Sequence, residues 1–274
     1  MLQVASLNSG SNGNCYYIGT ATDALLVDAG ISCRETERRM KRLELSMKRV
    51  RAILITHEHA DHIGGVSRLS RKYQLPVFIT PPTLQGSRLE IPDSRLRSFQ
   101  AHESIVFGEL SVLPIPKLHD AADPHSFIIS HQQTHVGVFT DHGAPDKHLM
   151  RYFAQCHAAF LESNYDAHML HHGDYPPALK ERIRGGYGHL SNRQALELFL
   201  NHKSPDLTHL FLSHLSEHNN TPELVRDLFS GIAGSTEIIV ASRYEETAVY
   251  NIVPGSSGTR VSGSGRAQQL TLFA

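Results

Sequence analysis

The chain has 274 residues, and its 26 lysine and arginine residues against 27 aspartate and glutamate residues give a net charge of −1. This length fits one large domain or two small ones. A nearly neutral chain neither indicates nor excludes a polyanionic partner, so the local distribution of charge must decide that question.

The number of cysteines and the hydropathy of the chain predict the cellular location of the protein. Three cysteines form an odd set without the pairing of a metal site, so we expect no disulfide framework. The amino terminus has no basic leader followed by an apolar run, and no stretch approaches the length needed to cross a bilayer. These features predict a soluble, cytoplasmic protein without a membrane partner.

Short apolar or alternating runs open the chain and predict strands at Leu2–Leu7, Cys15–Gly19 and Ala24–Val27. A stretch of glycine, serine and asparagine that includes Ser11 and Asn14 separates the first two. It is either a hairpin turn or a loop whose backbone N–H groups and polar side chains bind an anionic group.

A basic segment follows. Arg34–Arg51 is predicted as a helix with Met40, Leu43 and Met47 on one face, and it carries eight basic residues against three glutamates. Such a helix either presents a solvated face or contacts phosphates.

The next segment carries the strongest chemical signal of the chain. The apolar run Arg51–Thr56 ends in His57, His59, Asp61 and His62, as expected of a buried strand that delivers metal ligands at its carboxyl end. Neutral imidazole and carboxylate are ligands that a borderline divalent cation prefers. The first two histidines can bind one ion, and the aspartate with the third histidine a second. A chance cluster in a chain with 19 histidines is the alternative.

The rest of the chain alternates between strand and helix patterns. Helices are predicted at His62–Tyr73, Pro82–Leu89, Asp146–Cys156, Arg193–Asn201 and Thr221–Phe229. Strands are predicted at Val77–Thr80, Ile105–Phe107, Leu110–Pro114, His125–Ser130, His135–Thr140, Ala158–Glu162, Leu207–His214, Ile238–Ala241 and Thr247–Ile252. Repetition of sheet and then helix in both halves predicts an α/β fold, a four-layer αββα sandwich.

Two of the later strands end in residues suited to metal binding. One ends in Asp141, a natural bridge between two cations, because a carboxylate oxygen can share its lone pairs where an imidazole nitrogen cannot. The last ends in His214. His209 and His218 flank that strand end and remain alternatives if the register is shifted.

The pattern His-x-His-x-Asp-His after a strand resembles the metallo-β-lactamase fold family, a large group of mostly dinuclear metallohydrolases. The resemblance implies two divalent metal ions, zinc or manganese. It implies that Asp28, at the end of the third strand, supports the histidine turn without binding metal. The implied ligands are His57, His59 and His119 for the first ion and Asp61, His62, His214 and the shared Asp141 for the second.

Further motifs are similar to nucleases of this fold, and most of all to its YycJ/WalJ-type exonuclease branch. They are Gly-Ser-Asn-Gly-Asn, Leu-Glu-Ser-Asn-Tyr-Asp, Tyr-Gly-His-Leu-Ser-Asn and Leu-Ser-His-Leu-Ser-Glu-His-Asn-Asn, spread over most of residues 1–252. His142, beside Asp141, departs from the apolar residue expected there.

This resemblance implies a metal-dependent phosphodiesterase, a 5′-to-3′ DNA exonuclease in replication-linked repair. Asp61 and His189 would be catalytic, with His189 in the place of a phosphate-contacting histidine; its alternative is packing at a helix start. Ser191 could also cap that helix. The expected substrate-binding residues are Ser11, Asn14, Asn164, Ser191 and Asn192.

Other functions stay open because the fold does not choose the substrate. An RNA-processing nuclease, or a thioester or lactone hydrolase of the glyoxalase type, would share the same seven metal ligands. A scaffold without catalysis, tethered to a replication clamp, is a third class.

The carboxyl-terminal segment differs in composition from the rest. We predict a catalytic domain at 1–253 and, at 254–274, a Gly/Ser-rich linker that ends in a docking peptide. Its end resembles the Gln-Leu-x-Leu-Phe motif by which bacterial replication and repair enzymes bind the sliding clamp. Either this peptide enters an apolar groove of the clamp, or it packs on its own domain as a terminal strand. The predicted docking residues are Gln269, Leu270, Leu272 and Phe273.

Overall fold

The apolar runs in both halves of the chain form the strands of two β-sheets. The computed structural model describes residues 1–253 and the backbone of Thr259–Arg260. The strands are β1 (Leu2–Asn8), β2 (Cys15–Gly19), β3 (Ala24–Val27), β4 (Val50–Leu54), β5 (Val77–Phe78), β6 (Leu96–Arg97), β7 (Ile105–Phe107), β8 (Leu110–Pro116), β9 (His125–His131), β10 (Thr134–Phe139), β11 (Ala158–Glu162), β12 (His209–Ser213), β13 (Glu237–Val240), β14 (Tyr250–Ile252) and β15 (Thr259–Arg260).

The helices lie between these strands. They are α1 (Cys33–Arg42), α2 (Ala60–Ile63), α3 (Val66–Tyr73), α4 (Pro81–Gly86), α5 (Lys147–Phe153), α6 (Ala167–His172), α7 (Pro177–Arg184), α8 (Asn192–His202) and α9 (Pro222–Ser230), with 3-10 turns at Met47–Arg49 and Asp93–Arg95. None of the helices in the described part of the chain is long and apolar enough to span a membrane. Helices α6 and α7 were not predicted from the sequence.

Each sheet has a parallel part, and this places the loops of the site. The first sheet has the order β15-β14-β1-β2-β3-β4-β5-β6 and is parallel from β3 to β6. The second has the order β13-β12-β11-β10-β9-β8-β7 and is parallel from β10 to β13. Because parallel strands end at the same edge of a sheet, residues that follow β3 and β4, or β10, β11 and β12, lie close together.

Three apolar clusters divide the molecule into layers. The middle cluster joins the inner faces of both sheets, where the rings of Phe160 and Phe211 stack with centroids 4.5 Å apart. A second cluster packs the first sheet against α1 and α3, and a third packs the other sheet against α5, α8 and α9. The order helix, sheet, sheet, helix confirms the predicted four-layer αββα sandwich.

The helix predicted at Arg34–Arg51 is wrong in its second half. α1 ends at Arg42, because Glu44 takes a left-handed conformation with φ +58° and turns the chain toward β4. Arg39 is buried, and its guanidinium donates to the carbonyl of Leu7 and to Asn8 Oδ1, both at 2.7 Å. One of the basic residues of this segment is therefore a structural residue that cannot reach a phosphate.

The helix predicted at His62–Tyr73 is two helices. Gly64 and Gly65 separate α2 from α3, and the Gly65 N–H donates to the carbonyl of Ala29 at 2.7 Å. A β-carbon at position 65 would lie 2.1 Å from the carbonyl oxygen of Ile31, so only glycine permits this approach.

The predicted linker is partly paired with the domain. Thr259–Arg260 pairs antiparallel with β14. The docking residues Gln269, Leu270, Leu272 and Phe273 lie outside the described residues, and clamp docking stays a prediction.

Candidate metal centre

The site is built where strands end and the backbone turns sharply. Asp28 follows β3, Asp141 follows the end of β10, and His214 follows β12, with φ values of +57°, +58° and +56°. A left-handed backbone is uncommon for residues other than glycine and persists when surrounding contacts hold it. Three such residues at strand ends of the two sheets indicate a site whose side chains are held in place.

The first cluster contains three histidines. His57 Nε2 lies 3.1 Å from His59 Nδ1, which lies 3.3 Å from His119 Nε2. With Zn–N bonds of about 2.0–2.1 Å, tetrahedral ligand nitrogens lie roughly 3.3–3.4 Å apart. The spacing of these nitrogens therefore suits a single cation between them.

The second cluster combines imidazoles with carboxylates. Asp61 Oδ2 lies 3.4 Å from both His62 Nε2 and His214 Nε2. Asp141 Oδ2 lies 3.2 Å from His62 Nε2. These are hard and borderline donors of the kind that zinc or manganese accepts.

Asp141 links the two clusters. Its Oδ1 lies 3.3 Å from His214 Nδ1 and 3.9 Å from His119 Nε2. Its Oδ2 is buried and has no hydrogen bond with good geometry among the described residues, although His62 Nε2 is close. An unsatisfied buried carboxylate oxygen is costly, and a cation would satisfy it. The residues present therefore fit divalent metal.

Burial keeps two imidazoles of the first cluster, those of His57 and His119, neutral. Burial lowers the pKa of His57 well below its ordinary value and that of His119 to about 3. A neutral imidazole keeps the lone pair that a metal requires.

In the second cluster, by contrast, the pKa values of two histidines are raised. Burial alone would lower the pKa of His62 and of His214, but the carboxylate of Asp141 and its acidic neighbours raise both, His214 to about 10. The second cluster therefore stabilises positive charge, which a divalent cation would supply in place of protons.

Asp28 orients one imidazole of the site. Its Oδ2 accepts from His62 Nδ1 at 2.7 Å and from Thr56 Oγ1 at 2.8 Å, and its Oδ1 accepts from the Thr56 N–H at 2.9 Å. A carboxylate on Nδ1 fixes the tautomer and leaves Nε2 of His62 free to bind metal. This geometry matches the supporting role expected for Asp28.

Glu162 belongs to the motif Leu-Glu-Ser-Asn-Tyr-Asp, but the sequence analysis gave it no role in the site. Its Oε1 accepts from His189 Nδ1 at 2.8 Å and from His214 Nδ1 at 2.9 Å. Its Oε2 accepts from the backbone N–H groups of His142 at 2.9 Å and Leu190 at 3.0 Å. Glu162 ends β11 in the same way as polar residues follow β3 and β10, and this pattern was visible in the sequence although the two histidine partners were not.

The two histidine donors also set the charge of Glu162. Burial raises its pKa, but the charge and N–H groups of His189 and then His214 outweigh burial and lower the pKa to about 2. The group is therefore a permanent carboxylate that holds two imidazoles. His189 is held through Nδ1 and its side chain is 18% exposed, which leaves Nε2 available at the edge of the site.

Most of the predicted substrate-binding residues form hydrogen bonds within the protein. The buried Asn14 donates to Asp61 Oδ2 at 3.0 Å, and Asn164 donates to the carbonyl of His214 at 2.8 Å. The Ser191 hydroxyl caps α8 by accepting from the Gln194 N–H, and Asn192 is buried against Ser163 and Asn220. Polar atoms of these four side chains have internal partners, which hold the site together. Direct contact of these residues with substrate stays a prediction. Ser11 is exposed.

The alternative histidines lie elsewhere. His209 lies against Thr208, with Nδ1 2.8 Å from its hydroxyl, and the ring of His218 meets that of Tyr175. Neither belongs to a donor cluster among the described residues. His142 is buried, and its Nε2 lies 2.8 Å from Ser126 Oγ.

Similarity to known proteins agrees with the geometry. Residues 9–184 match the model of the metallo-beta-lactamase superfamily. Exodeoxyribonuclease YycJ from Bacillus anthracis is 36% identical over 228 residues, which cover 82% of this chain and 86% of the relative. Exodeoxyribonuclease WalJ from Streptococcus pneumoniae is 31% identical over 223 residues, which cover 80% of this chain and 83% of that relative.

A solved structure supports the fold independently. The metallo-beta-lactamase fold protein YhfI from Bacillus subtilis superposes with a TM-score of 0.69 over 90% of this chain and 98% of that protein, at 16% identity. The chain therefore belongs to the metallo-beta-lactamase superfamily, in the branch that contains the YycJ/WalJ-type proteins.

Proposed function

We propose that the protein is a metal-dependent phosphodiesterase that degrades DNA from a 5′ end. The observation that carries this proposal is the convergence of two donor clusters joined by Asp141. The relatives described as exodeoxyribonucleases favour DNA as the substrate.

Seven side chains would hold two cations, zinc or manganese: His57, His59 and His119 for one, Asp61, His62 and His214 for the other, and Asp141 for both. Bound divalent cations supply polarisation of the phosphodiester and acidification of water near neutral pH.

Two residues of the chain are assigned to proton transfer. Asp61 is partly exposed, and its Oδ2 accepts a hydrogen bond from Asn14. Its carboxylate is proposed to accept a proton from the attacking water. His189 is held by Glu162 through Nδ1, so its Nε2 can contact the scissile phosphate or protonate the leaving oxygen. Asp28 and Glu162 act as positioning residues for His62, His189 and His214.

The loop around Ser11 is proposed to determine the direction of cleavage along the DNA strand. Arg243 Nη2 donates to the exposed Ser11 hydroxyl at 3.1 Å, while Asn14 of the same loop contacts Asp61. A terminal 5′-phosphate bound by Ser11 and the backbone of this loop would place the first phosphodiester near the metal clusters.

Parallel assays test this function. We expect 5′-phosphorylated linear duplex DNA to be degraded to mononucleotides from its 5′ end, with RNA of the same sequence and S-lactoylglutathione turned over at least about tenfold more slowly. A chelator should abolish cleavage, and Zn²⁺ or Mn²⁺ should restore it. Strands labelled at the 5′ or the 3′ end reveal the direction. Faster turnover of the thioester, or no DNA cleavage by metal-loaded protein, would contradict the proposal.

A role in replication-linked repair, and hence in the cytoplasm, is proposed from the carboxyl-terminal peptide. Deleting residues 269–274 is expected to abolish binding to a bacterial sliding clamp and to leave turnover of short DNA unchanged, because a tethered peptide can bind without disturbing the domain. Surface plasmon resonance with immobilised clamp measures the first effect. Unchanged clamp binding by the deletion variant would refute docking through this peptide.

A further inference from the structure

Beside the metal loop, a depression leads away from the site toward α3. A cavity of about 460 Å³ begins at Glu58 and Ala60, which flank His59, and it extends to Ser67 and Arg88. A second cavity of about 480 Å³ continues from Ser67 along Arg68, Arg71 and Lys72. The two share Ser67, so one continuous surface connects the metal loop with the outer face of α3. We call this surface the α3 channel.

The α3 channel carries uncompensated positive charge. Arg68, Arg71 and Arg88 are exposed, and within residues 1–253 none of them forms an ion pair. Lys72 by contrast pairs with Glu37 at 2.5 Å. One carboxylate, Glu58, lies at the entrance, where its Oε1 accepts from the Ala122 N–H at 2.7 Å and its Oε2 is buried.

We propose that the α3 channel binds the phosphate backbone of duplex DNA beyond the scissile end. This inference rests on the proposed nuclease function and adds the path of the substrate. Three arginines without carboxylate partners are suited to phosphate because the guanidinium always carries charge and binds phosphate oxygens in pairs.

The dimensions fit a short stretch of DNA backbone. α3 has eight residues and is therefore about 12 Å long. Phosphates of one strand rise about 3.4 Å each along a duplex, so this helix spans roughly three or four of them. A strand whose end lies at the metal loop would thus have its next phosphates over Ser67, Arg68 and Arg71. Such contacts depend on the charge of the phosphates and give no preference for a particular base sequence.

The test compares double variants that remove two positive charges, either in the α3 channel or elsewhere, with a double variant that keeps the charge. In the Arg68→Ala/Arg71→Ala variant we expect KM for duplex DNA to rise at least about tenfold at moderate salt, with kcat unchanged. The slope of log Kd against log salt concentration should become less steep by about two. Kd is measured by fluorescence anisotropy with a phosphorothioate-linked duplex. The Arg68→Lys/Arg71→Lys variant should keep most of the wild-type slope.

The control is the Arg151→Ala/Arg226→Ala variant, which removes two exposed arginines from α5 and α9. It should retain wild-type KM and slope. Equal slopes for the α3 and control variants, or no DNA binding by wild-type protein, would overturn the α3 channel as a DNA path. Arginine-dependent binding without cleavage would instead support the channel and refute the nuclease function, so the two failures are distinguishable.

Discussion

Replacing Asp141 by asparagine is expected to lower kcat for DNA cleavage by about 10³-fold or more and to reduce the bound metal from two equivalents to one or fewer. The carboxylate reaches both clusters, with Oδ2 3.2 Å from His62 Nε2 and Oδ1 3.9 Å from His119 Nε2. A neutral amide has only one oxygen and no charge with which to bridge two cations.

Asparagine is the appropriate replacement because it tolerates the left-handed backbone at position 141, φ +58°. Elemental analysis gives the metal content and steady-state kinetics the rate. The control, Asp206→Asn, changes an exposed loop carboxylate and should behave like wild type. If Asp141→Asn retained the wild-type metal content and a rate within about tenfold of wild type, the bridging role of Asp141 would be refuted.

Replacing Glu162 by glutamine should lower kcat by about 10²-fold and metal affinity by about 10–100-fold, with little change in KM. One oxygen of Glu162 accepts from His189 and His214, and the other accepts from two backbone N–H groups. The new NH₂ group must face one of these donor pairs. If it faces the histidines, their tautomers change and Nε2 of His214 carries a proton where the metal should bind.

If the NH₂ group faces the backbone instead, it leaves buried donors unsatisfied, and the free energy of unfolding should fall by about 1–3 kcal/mol. Denaturant unfolding measures that loss, and competition with a chelator measures metal affinity. Glu197→Gln on the exposed face of α8 is the matched control. Reduced stability with wild-type metal affinity and kcat would show that Glu162 has only a structural role.

The strand ends could be predicted because they depend on local patterns. Apolar runs that end in polar residues at positions 57, 141 and 214 are visible within a few residues of chain, and the structure places all three residues in the two clusters. The αββα layers follow from the same periodicity, since a strand with an apolar face must bury it against another element.

Other features could not be predicted, because they depend on contacts between distant segments. Glu162 resembled any strand-end carboxylate until the fold brought His189, 27 positions away, and His214, 52 positions away, to its oxygens. The hydrogen bond that Asn14 donates to Asp61, 47 positions away, was likewise not visible in the sequence. The left-handed backbone of Glu44 ended a helix that composition alone would have extended.

The amino-acid sequence by itself therefore determined the fold class and the strand-end residues suited to bind metal, because periodicity and short spacing act over a few neighbouring residues, and the resemblance of its motifs indicated the superfamily. Only the tertiary structure decided which polar side chains orient those ligands and which arginines remain unpaired beside the metal loop. The physical reason is that a hydrogen bond or ion pair depends on separations of about 3 Å in space, and these arise only when the two sheets have packed together.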